Sequence, residues 1–300
     1  MNQSEEITAM LESVLAKYEN VNKQYLRMYG KYGNIWRDEF CLILKTILTS
    51  DPDNNLDSII KNYINYCAEI VKLQLKFEVE GIYPRNEFEK IANTIYLNSN
   101  YMKKVYYPFL IVSHFLWEHQ YKNQIWFKQL FTKFCLNKNR VTSADIGVGT
   151  GIFSRIAGNT ARNIIISGFD ISSEAHFFAK NFLVETRDSI YEEEGLFPAT
   201  TGNCYDWITC IELVEHLENP IELLEEIRNS LKLDGACFIT AALNAPHEDH
   251  IYLYRSAADF KIQLEAAGLK ILDMREFIAP GYFGKALPPS LVSVLAGVAL

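Results

Sequence analysis

Hydrophobic and polar positions follow two different patterns along the chain, and the change comes near residue 139. Before it, apolar residues recur at helical spacing, as at Ile7, Leu11 and Val14. Similar patterns cover residues 40–48, 59–77, 88–96 and 107–134, with breaks at 30–33, 50–54, 81–84 and 97–100. Residues 1–138 are therefore predicted to form an all-α N-terminal domain of about five to seven helices.

From residue 139 to residue 300, short apolar runs alternate with helix-compatible segments, which predicts a second, α/β domain. The predicted strands lie near residues 141–146, 163–169, 205–211, 235–242, 269–278 and 291–299. Helices are expected between the first five of them. A further strand is expected within residues 187–200, although RDSIYEEEGLFP matches a strand pattern poorly.

The turn after the first predicted strand carries the sequence DIGVGTG at residues 145–151. Alternate glycines let the backbone turn tightly and bring a small ligand close to main-chain N–H groups. The next strand ends in Asp170, at a position where a carboxylate can accept hydrogen bonds from both hydroxyls of a ribose. Together these features fit either a dinucleotide or an adenosyl ligand.

A third block, YDWITCIELVEHLENP at residues 205–220, predicts a strand, an acidic turn and the start of a helix over 221–231. With DIGVGTG and Asp170, it resembles the class I S-adenosylmethionine (SAM) methyltransferases over roughly residues 139–300. A nicotinamide-dependent Rossmann domain fits less well, because it usually has G-x-G-x-x-G. The resemblance implies a Rossmann-like, seven-stranded sheet whose last strand is antiparallel and inserted near the sheet edge.

The resemblance also implies SAM as cofactor and assigns residues to its pocket. The methionine side is expected to be shaped by Asp145, Gly147, Gly149 and Gly151. Asp170 is expected to bind the ribose, and Ile171 to pack near the adenine. An acid that contacts the adenine is expected after the third strand, and the choice among residues 192–194 stays open.

Two further segments offer groups that could activate an acceptor. Glu212, Glu215 and His216 follow the fourth predicted strand, and their spacing would bring them to one face of a helical turn. The sequence HEDH at residues 247–250 follows the fifth strand, so both segments lie at the carboxyl edge of the sheet. Carboxylates and imidazoles suit Mg²⁺, Mn²⁺ or Fe²⁺, whereas the lack of cysteines there argues against structural zinc.

This arrangement resembles the metal site of the small-RNA 3′-terminal 2′-O-methyltransferases, and the ubiquinone-biosynthesis O-methyltransferases carry a similar E-x-x-E-H block. The resemblance implies Glu212, Glu215, His216 and His250 as metal ligands, with His247 as a spare. Metal-independent SAM enzymes also contain E-x-x-E-H. A metal site, a metal-free histidine base at His216 or His250, and purely structural roles all stay open, and Asp249 is expected to orient His250.

Composition narrows the range of partners. With 37 acidic and 29 basic residues, the net charge is −8, whereas nucleic-acid-binding proteins normally show a basic footprint. The six cysteines show no C-x-x-C spacing, the first residues do not form a signal peptide, and the apolar run at 291–300 is too short to span a bilayer. A cytoplasmic protein without membrane or nucleic-acid partners is expected.

The predicted function is SAM-dependent methylation of a small polar metabolite at oxygen or nitrogen, in secondary metabolism. The helical domain is expected to form a lid and much of the acceptor pocket, with HFLWEH at residues 114–119 in contact with the acceptor. The expected partner is a small-molecule acceptor, and a homodimer stays open. The alternatives are a metal-dependent RNA 2′-O-methyltransferase and a non-catalytic binding protein with a methyltransferase fold.

Overall fold

The computed structural model describes residues 3–50, 54–84, 87–161, 163–183, 189–197, 204–279 and 288–299. Its first part is helical, as predicted. The helices are α1 (Gln3–Leu15), α2 (Glu19–Ser50), α3 (Leu56–Glu80), α4 (Phe88–Ile91), α5 (Ser99–Tyr101), α6 (Tyr107–Leu116) and α7 (Glu118–Cys135). Two π-helical turns, Ala92–Tyr96 and Met102–Tyr106, continue α4 and α5.

Glycine and asparagine explain several helix boundaries. Gly33 has φ 70° and ψ −159°, outside the helical region, so a kink divides α2 into two helical segments at the break predicted for residues 30–33. Asn55 caps α3 by accepting a hydrogen bond from the Ser58 backbone N–H. Gly81 ends α3 in the left-handed conformation at φ 69°, as glycine commonly does after a helix. The break predicted at residues 50–54 falls largely outside the described residues.

The second part forms one seven-stranded sheet in the order β3-β2-β1-β4-β5-β7-β6. The strands are β1 (Val141–Ile146), β2 (Ile164–Phe169), β3 (Ser189–Glu194), β4 (Tyr205–Cys210), β5 (Leu231–Leu243), β6 (Leu269–Ile278) and β7 (Ser290–Val298). The described helices between them are α8 (Ile152–Thr160), α9 (Ser173–Leu183), α10 (Pro220–Ser230) and α11 (Ala257–Ala266). β7 runs antiparallel to β5 and β6, so the predicted sheet is confirmed.

Aromatic packing fixes the helical part on one face of the sheet. On α7, Phe127 contacts Trp207 of β4 and Phe238 of β5, with ring centroids 5.9 and 5.2 Å apart. Just after α7, Lys138 pairs with Asp206 near the start of β4 at 3.4 Å. The first turn of α7 therefore points towards the carboxyl ends of the strands, where open α/β sheets place their sites.

One hydrophobic core is continuous from the first helices to the sheet. It contains Leu11 of α1, Trp36 of α2 and Phe115 of α6, together with Trp207 and Phe238 of the sheet. The division into two domains at residue 139 therefore stays a prediction. Among the described residues, no helix has both the length and the apolar character needed to cross a membrane.

Candidate functional site

A cavity of about 880 Å³ lies at the carboxyl edge of the sheet, where the order of the strands reverses between β1 and β4. Helices α2 to α7, residues 19–135, cover it, and we call them the helical cap. Five of the six histidines of the chain line this cavity, and the sixth is His176. They are His114, His119, His216, His247 and His250.

The turn after β1 forms one end of the cavity, and its glycines are required by geometry. Gly147, Gly149 and Gly151 have φ of 67°, 51° and 74°, in the left-handed region that favours glycine. A Cβ atom on Gly151 would lie 2.5 Å from the Ala179 Cα atom in α9. The turn can therefore pass directly beneath α9 only with glycine at this position.

Asp145 ends β1 with its side chain buried beneath this turn. Its carboxylate accepts a hydrogen bond from the Ser154 hydroxyl at 2.5 Å. Burial raises the pKa of Asp145 to about 7. The residue thus joins β1 to the first turn of α8.

Asp170, at the end of β2, holds the glycine turn from the other side. Its carboxylate accepts hydrogen bonds from the backbone N–H groups of Gly149 at 3.0 Å and Ser172 at 2.8 Å. Burial raises the pKa of Asp170. Asp170 and the neighbouring Ile171 both line the cavity, as do Asp145, Gly147 and Gly149, whereas Gly151 packs against α9 outside the lining.

The predicted third strand is present as β3, and the cavity wall continues just beyond it at residues 195–197. Glu192 is exposed on the strand itself, and the side chains of residues 193 and 194 lie outside the described part. The choice of an adenine-contacting acid among these three residues stays open.

The expectation that Glu212, Glu215 and His216 share one face of a helical turn is wrong. Glu212 has φ 46°, outside the helical region, and only Val214–His216 form a short 3₁₀ turn. The Glu212 backbone N–H donates to the Thr240 hydroxyl at 2.8 Å. Its carboxylate accepts a hydrogen bond from the Gln120 side chain of α7 at 2.9 Å, which draws it towards the helical cap.

Glu215 points the other way, into the sheet, and is completely buried. One carboxylate oxygen accepts a hydrogen bond from the Ala242 backbone N–H at 3.1 Å, and the second has no partner among the described residues. Burial and the nearby Glu212 raise the pKa of Glu215 well above its usual range. Potential ligand atoms of Glu215, His216 and His250 lie within 4.8 Å of one another.

Two of the histidines have a defined tautomer. The Nδ1 atom of His216 lies 3.0 Å from the Asp249 carbonyl oxygen, and that of His250 lies 2.7 Å from the Ala245 carbonyl oxygen. Because a carbonyl oxygen only accepts, both Nδ1 atoms donate, and in the neutral form of either ring the Nε2 atom carries the lone pair. The two rings lie 4.8 Å apart, so the pair has the form needed by a base or a metal ligand.

The expectation that Asp249 orients His250 by a hydrogen bond is wrong. Its buried carboxylate instead bonds to the His247 Nδ1 atom at 2.5 Å and accepts from the hydroxyls of Tyr106 at 2.6 Å and Tyr96 at 3.1 Å. Although burial opposes ionisation, the nearby His216 and His247 hold the pKa of Asp249 well below its usual range. The His250 ring is instead oriented by its hydrogen bond to the Ala245 carbonyl oxygen.

A comparison with known proteins identifies the family to which this chain belongs. A family model described as "Methyltransferase domain" matches residues 116–273, which is more than half of the chain. The chain belongs to the class I SAM-dependent methyltransferases. The matched region contains the glycine turn, Asp170 and both acidic segments after β4 and β5. The fold and the family predicted from the sequence are thus confirmed.

Two relatives and one similar solved structure illustrate the range of similarity. A ubiquinone biosynthesis O-methyltransferase of Glaesserella parasuis is 33% identical over 104 residues, 32% of this chain and 43% of that protein. A ubiquinone biosynthesis O-methyltransferase of Nitrosomonas europaea is 29% identical over 114 residues, which are 37% of this chain and 47% of that protein. The chain thus spans less than half the length of these relatives. A solved SAM-dependent methyltransferase from Aquifex aeolicus is 16% identical, with TM-score 0.44 over 71% of this chain and 98% of that one.

Proposed function

We propose that this methyltransferase transfers the methyl group of SAM to a hydroxyl group of a small, uncharged acceptor held beneath the helical cap. One observation carries the proposal: Gly149 and Asp170 line the same cavity as His216 and His250. Residues suited to the cofactor therefore face the same space as groups suited to activating an acceptor. The O-methyltransferase names of the relatives from Glaesserella parasuis and Nitrosomonas europaea favour oxygen over nitrogen.

The cofactor half of the site consists of the glycine turn and the acid at the end of β2. SAM supplies a methyl group that is already activated by the positive sulfonium. Glycine at 147 and 151 lets the turn pack closely against Leu213 and Ala179, and the cavity is lined by Gly147 and Gly149 of this turn. Asp170 has the place and the chemistry to accept hydrogen bonds from ribose hydroxyls.

The acceptor half is mostly aromatic and carries little positive charge. Its aromatic wall on the cap side includes Tyr96, Tyr106, Tyr107, Phe109 and Trp117. Such a wall excludes water from the reacting groups and favours a ring or another apolar body. Of the described residues that line the cavity, Arg27 is the one lysine or arginine, whereas several glutamates face it, including Glu212 and Glu218. Anionic acceptors, including nucleic acid, are therefore disfavoured.

Activation of the hydroxyl group requires removal of its proton, which the free Nε2 atom of His216 or His250 can accept. The same residues also suit a divalent ion, since Glu215 has a buried oxygen without a partner beside both imidazoles. Mg²⁺, Mn²⁺ or Fe²⁺ held by Glu215, His216 and His250 would lower the pKa of a bound hydroxyl group. Glu212, predicted as a fourth ligand, is bonded to Gln120 instead.

Calorimetric titration tests the cofactor half of the proposal. SAM and S-adenosylhomocysteine should bind to the protein, and NAD should not. Asp170→Ala should weaken binding by about 1.5–3 kcal/mol, the range for hydrogen bonds to a charged group. Binding of NAD without any response to SAM would contradict the proposal.

Chelation separates the two modes of activation. If Glu215, His216 and His250 hold an ion, a chelator should abolish methyl transfer, and added Mg²⁺, Mn²⁺ or Fe²⁺ should restore it. If a histidine is the base, the chelator should have no effect, and replacement of that histidine by alanine should lower the rate by about 10²–10⁴. Full activity of both His216→Ala and His250→Ala would exclude both modes.

A further inference from the structure

The junction of α6 and α7 brings a second group of polar side chains to the cavity. His114 lies in the last turn of α6, and His119 and Gln120 lie in the first turn of α7. Trp117 between the helices adopts an extended conformation, with φ −89° and ψ 111°. All four residues line the cavity, on the cap side and apart from the histidines that follow β4 and β5.

Each of the three polar side chains has a buried atom without a hydrogen-bond partner in the described part of the chain. These atoms are Nδ1 of His114, Nδ1 of His119 and the side-chain oxygen of Gln120. His114 is 8% exposed and Gln120 is 4% exposed. Buried polar groups nearly always have partners, and these three belong to residues within one seven-residue stretch of the cavity wall, where a ligand can supply them.

The remaining histidines show the ordinary situation. The Nδ1 atom of His176, which lies outside the cavity, is 2.8 Å from the Tyr191 hydroxyl, and those of His216 and His250 bond to carbonyl oxygens. His114 and His119 thus differ from other buried histidines of the same chain. A purely structural histidine would be expected to resemble His176.

The chemistry of the three groups defines what they can bind. Burial lowers the pKa of both His114 and His119 to about 4, so both imidazoles are neutral near pH 7. A neutral imidazole offers one donor and one acceptor, and the free Gln120 oxygen accepts. A hydroxyl group, which both donates and accepts, satisfies such a set. A carboxylate would face the Gln120 oxygen and lie close to Glu212, which Gln120 binds.

We propose that His114, His119 and Gln120 form a second polar subsite that binds an uncharged hydroxyl group of the acceptor, other than the hydroxyl group that is methylated. The acceptor is then a compound with at least two hydroxyl groups on an apolar or aromatic body. This inference rests on the proposed function, because the first hydroxyl group is assigned to His216 and His250. Gln120 links this subsite to the segment after β4 that carries His216, because its side chain donates a hydrogen bond to Glu212 at 2.9 Å.

Binding of simple phenols tests the subsite. Phenol and the three dihydroxybenzenes (catechol, resorcinol and hydroquinone) are titrated into the protein saturated with S-adenosylhomocysteine. At least one dihydroxybenzene should bind tenfold or more tightly than phenol. His114→Leu and Gln120→Leu should each remove most of that advantage while changing phenol affinity less than twofold. His176→Leu, the matched control, should retain the advantage.

Thermal unfolding separates a binding role from a structural one. Because His114→Leu removes a group without a partner, its melting temperature should equal or exceed that of the wild type, whereas Gln120→Leu also breaks the hydrogen bond to Glu212 and is read by binding alone. His176→Leu should melt at a lower temperature, since it loses a hydrogen bond. A fall in His114→Leu as large as that in His176→Leu would overturn the inference.

The same titrations distinguish failure of the subsite from failure of the proposed function. Protein that binds S-adenosylhomocysteine but shows no preference for any dihydroxybenzene, or keeps the preference in both leucine variants, has no such subsite. Protein that does not bind S-adenosylhomocysteine contradicts the proposed function, and the inference is rejected with it.

Discussion

The buried histidines of the helical cap should make the stability of the protein depend on pH in a specific way. His114 and His119 have pKa values lowered to about 4 by burial, whereas an unfolded chain has histidines near pKa 6.5. The folded state therefore binds fewer protons than the unfolded state between these two values. The contribution of the two neutral histidines to the free energy of unfolding should be fully present above about pH 6.5. It should be lost progressively as the pH decreases towards 4.

The size of the effect follows from the two pKa values. At about pH 5, an unfolded histidine is almost fully protonated, whereas His114 in the folded protein is mostly neutral. The resulting difference in proton binding lowers the free energy of unfolding by about 2 kcal/mol for each residue, relative to about pH 7.5. The wild type should thus lose roughly 4 kcal/mol through His114 and His119 together over this interval.

Urea unfolding at about pH 7.5 and about pH 5 measures this loss, and His114→Leu isolates one half of it. The variant should lose about 2 kcal/mol less than the wild type between the two conditions. Other titrating groups, such as Asp145 with its pKa raised to about 7, are present in both proteins, so their effects cancel in the comparison. Equal losses in the two proteins would refute the reasoning, because His114 would then titrate alike in the folded and unfolded states.

Three glycine substitutions test the backbone argument. Gly151→Ala should lower the free energy of unfolding by about 2–4 kcal/mol and weaken S-adenosylhomocysteine binding, since it combines left-handed strain with a clash at Ala179. Gly149→Ala should cost only about 1–2 kcal/mol in urea unfolding, because its Cβ would meet nothing closer than 3.6 Å, and equal losses would contradict the clash. Gly30→Ala, within α2 and with open space around its Cβ position, should instead raise the free energy of unfolding by about 0.5–1 kcal/mol. A decrease there would show that α2 requires glycine for another reason.

Local signals in the sequence were sufficient for the sheet and for the glycine turn after β1. The alternate glycines identify a turn because only glycine readily adopts the φ values of 51° to 74° found there. Apolar residues identified β2 and β4 because these strands are largely buried, whereas β1, with the sequence VTSADI, is only weakly β-prone. β3 was harder to predict, since consecutive glutamates have low strand propensity and its pairing with β2 supplies what the sequence lacks.

The acceptor end could not be predicted in the same way, because its contacts join distant parts of the chain. Gln120 and Glu212 are 92 residues apart, and Tyr106 and Asp249 are 143 residues apart. No local pattern marks such pairs. The turn at Glu212 was also misjudged: residue spacing assumed a helix, whereas its φ of 46° directs the side chain away from Glu215.

The helical cap and the sheet share hydrogen bonds at both acidic segments of the site. Gln120 binds Glu212 after β4, while Tyr96 and Tyr106 bind Asp249 after β5. Asp249 in turn bonds to His247 and, through its carbonyl oxygen, to His216. Because buried carboxylates are costly without such partners, the orientation of these histidines depends on the position of the helical cap. The helices that enclose the cavity therefore also take part in building its polar centre.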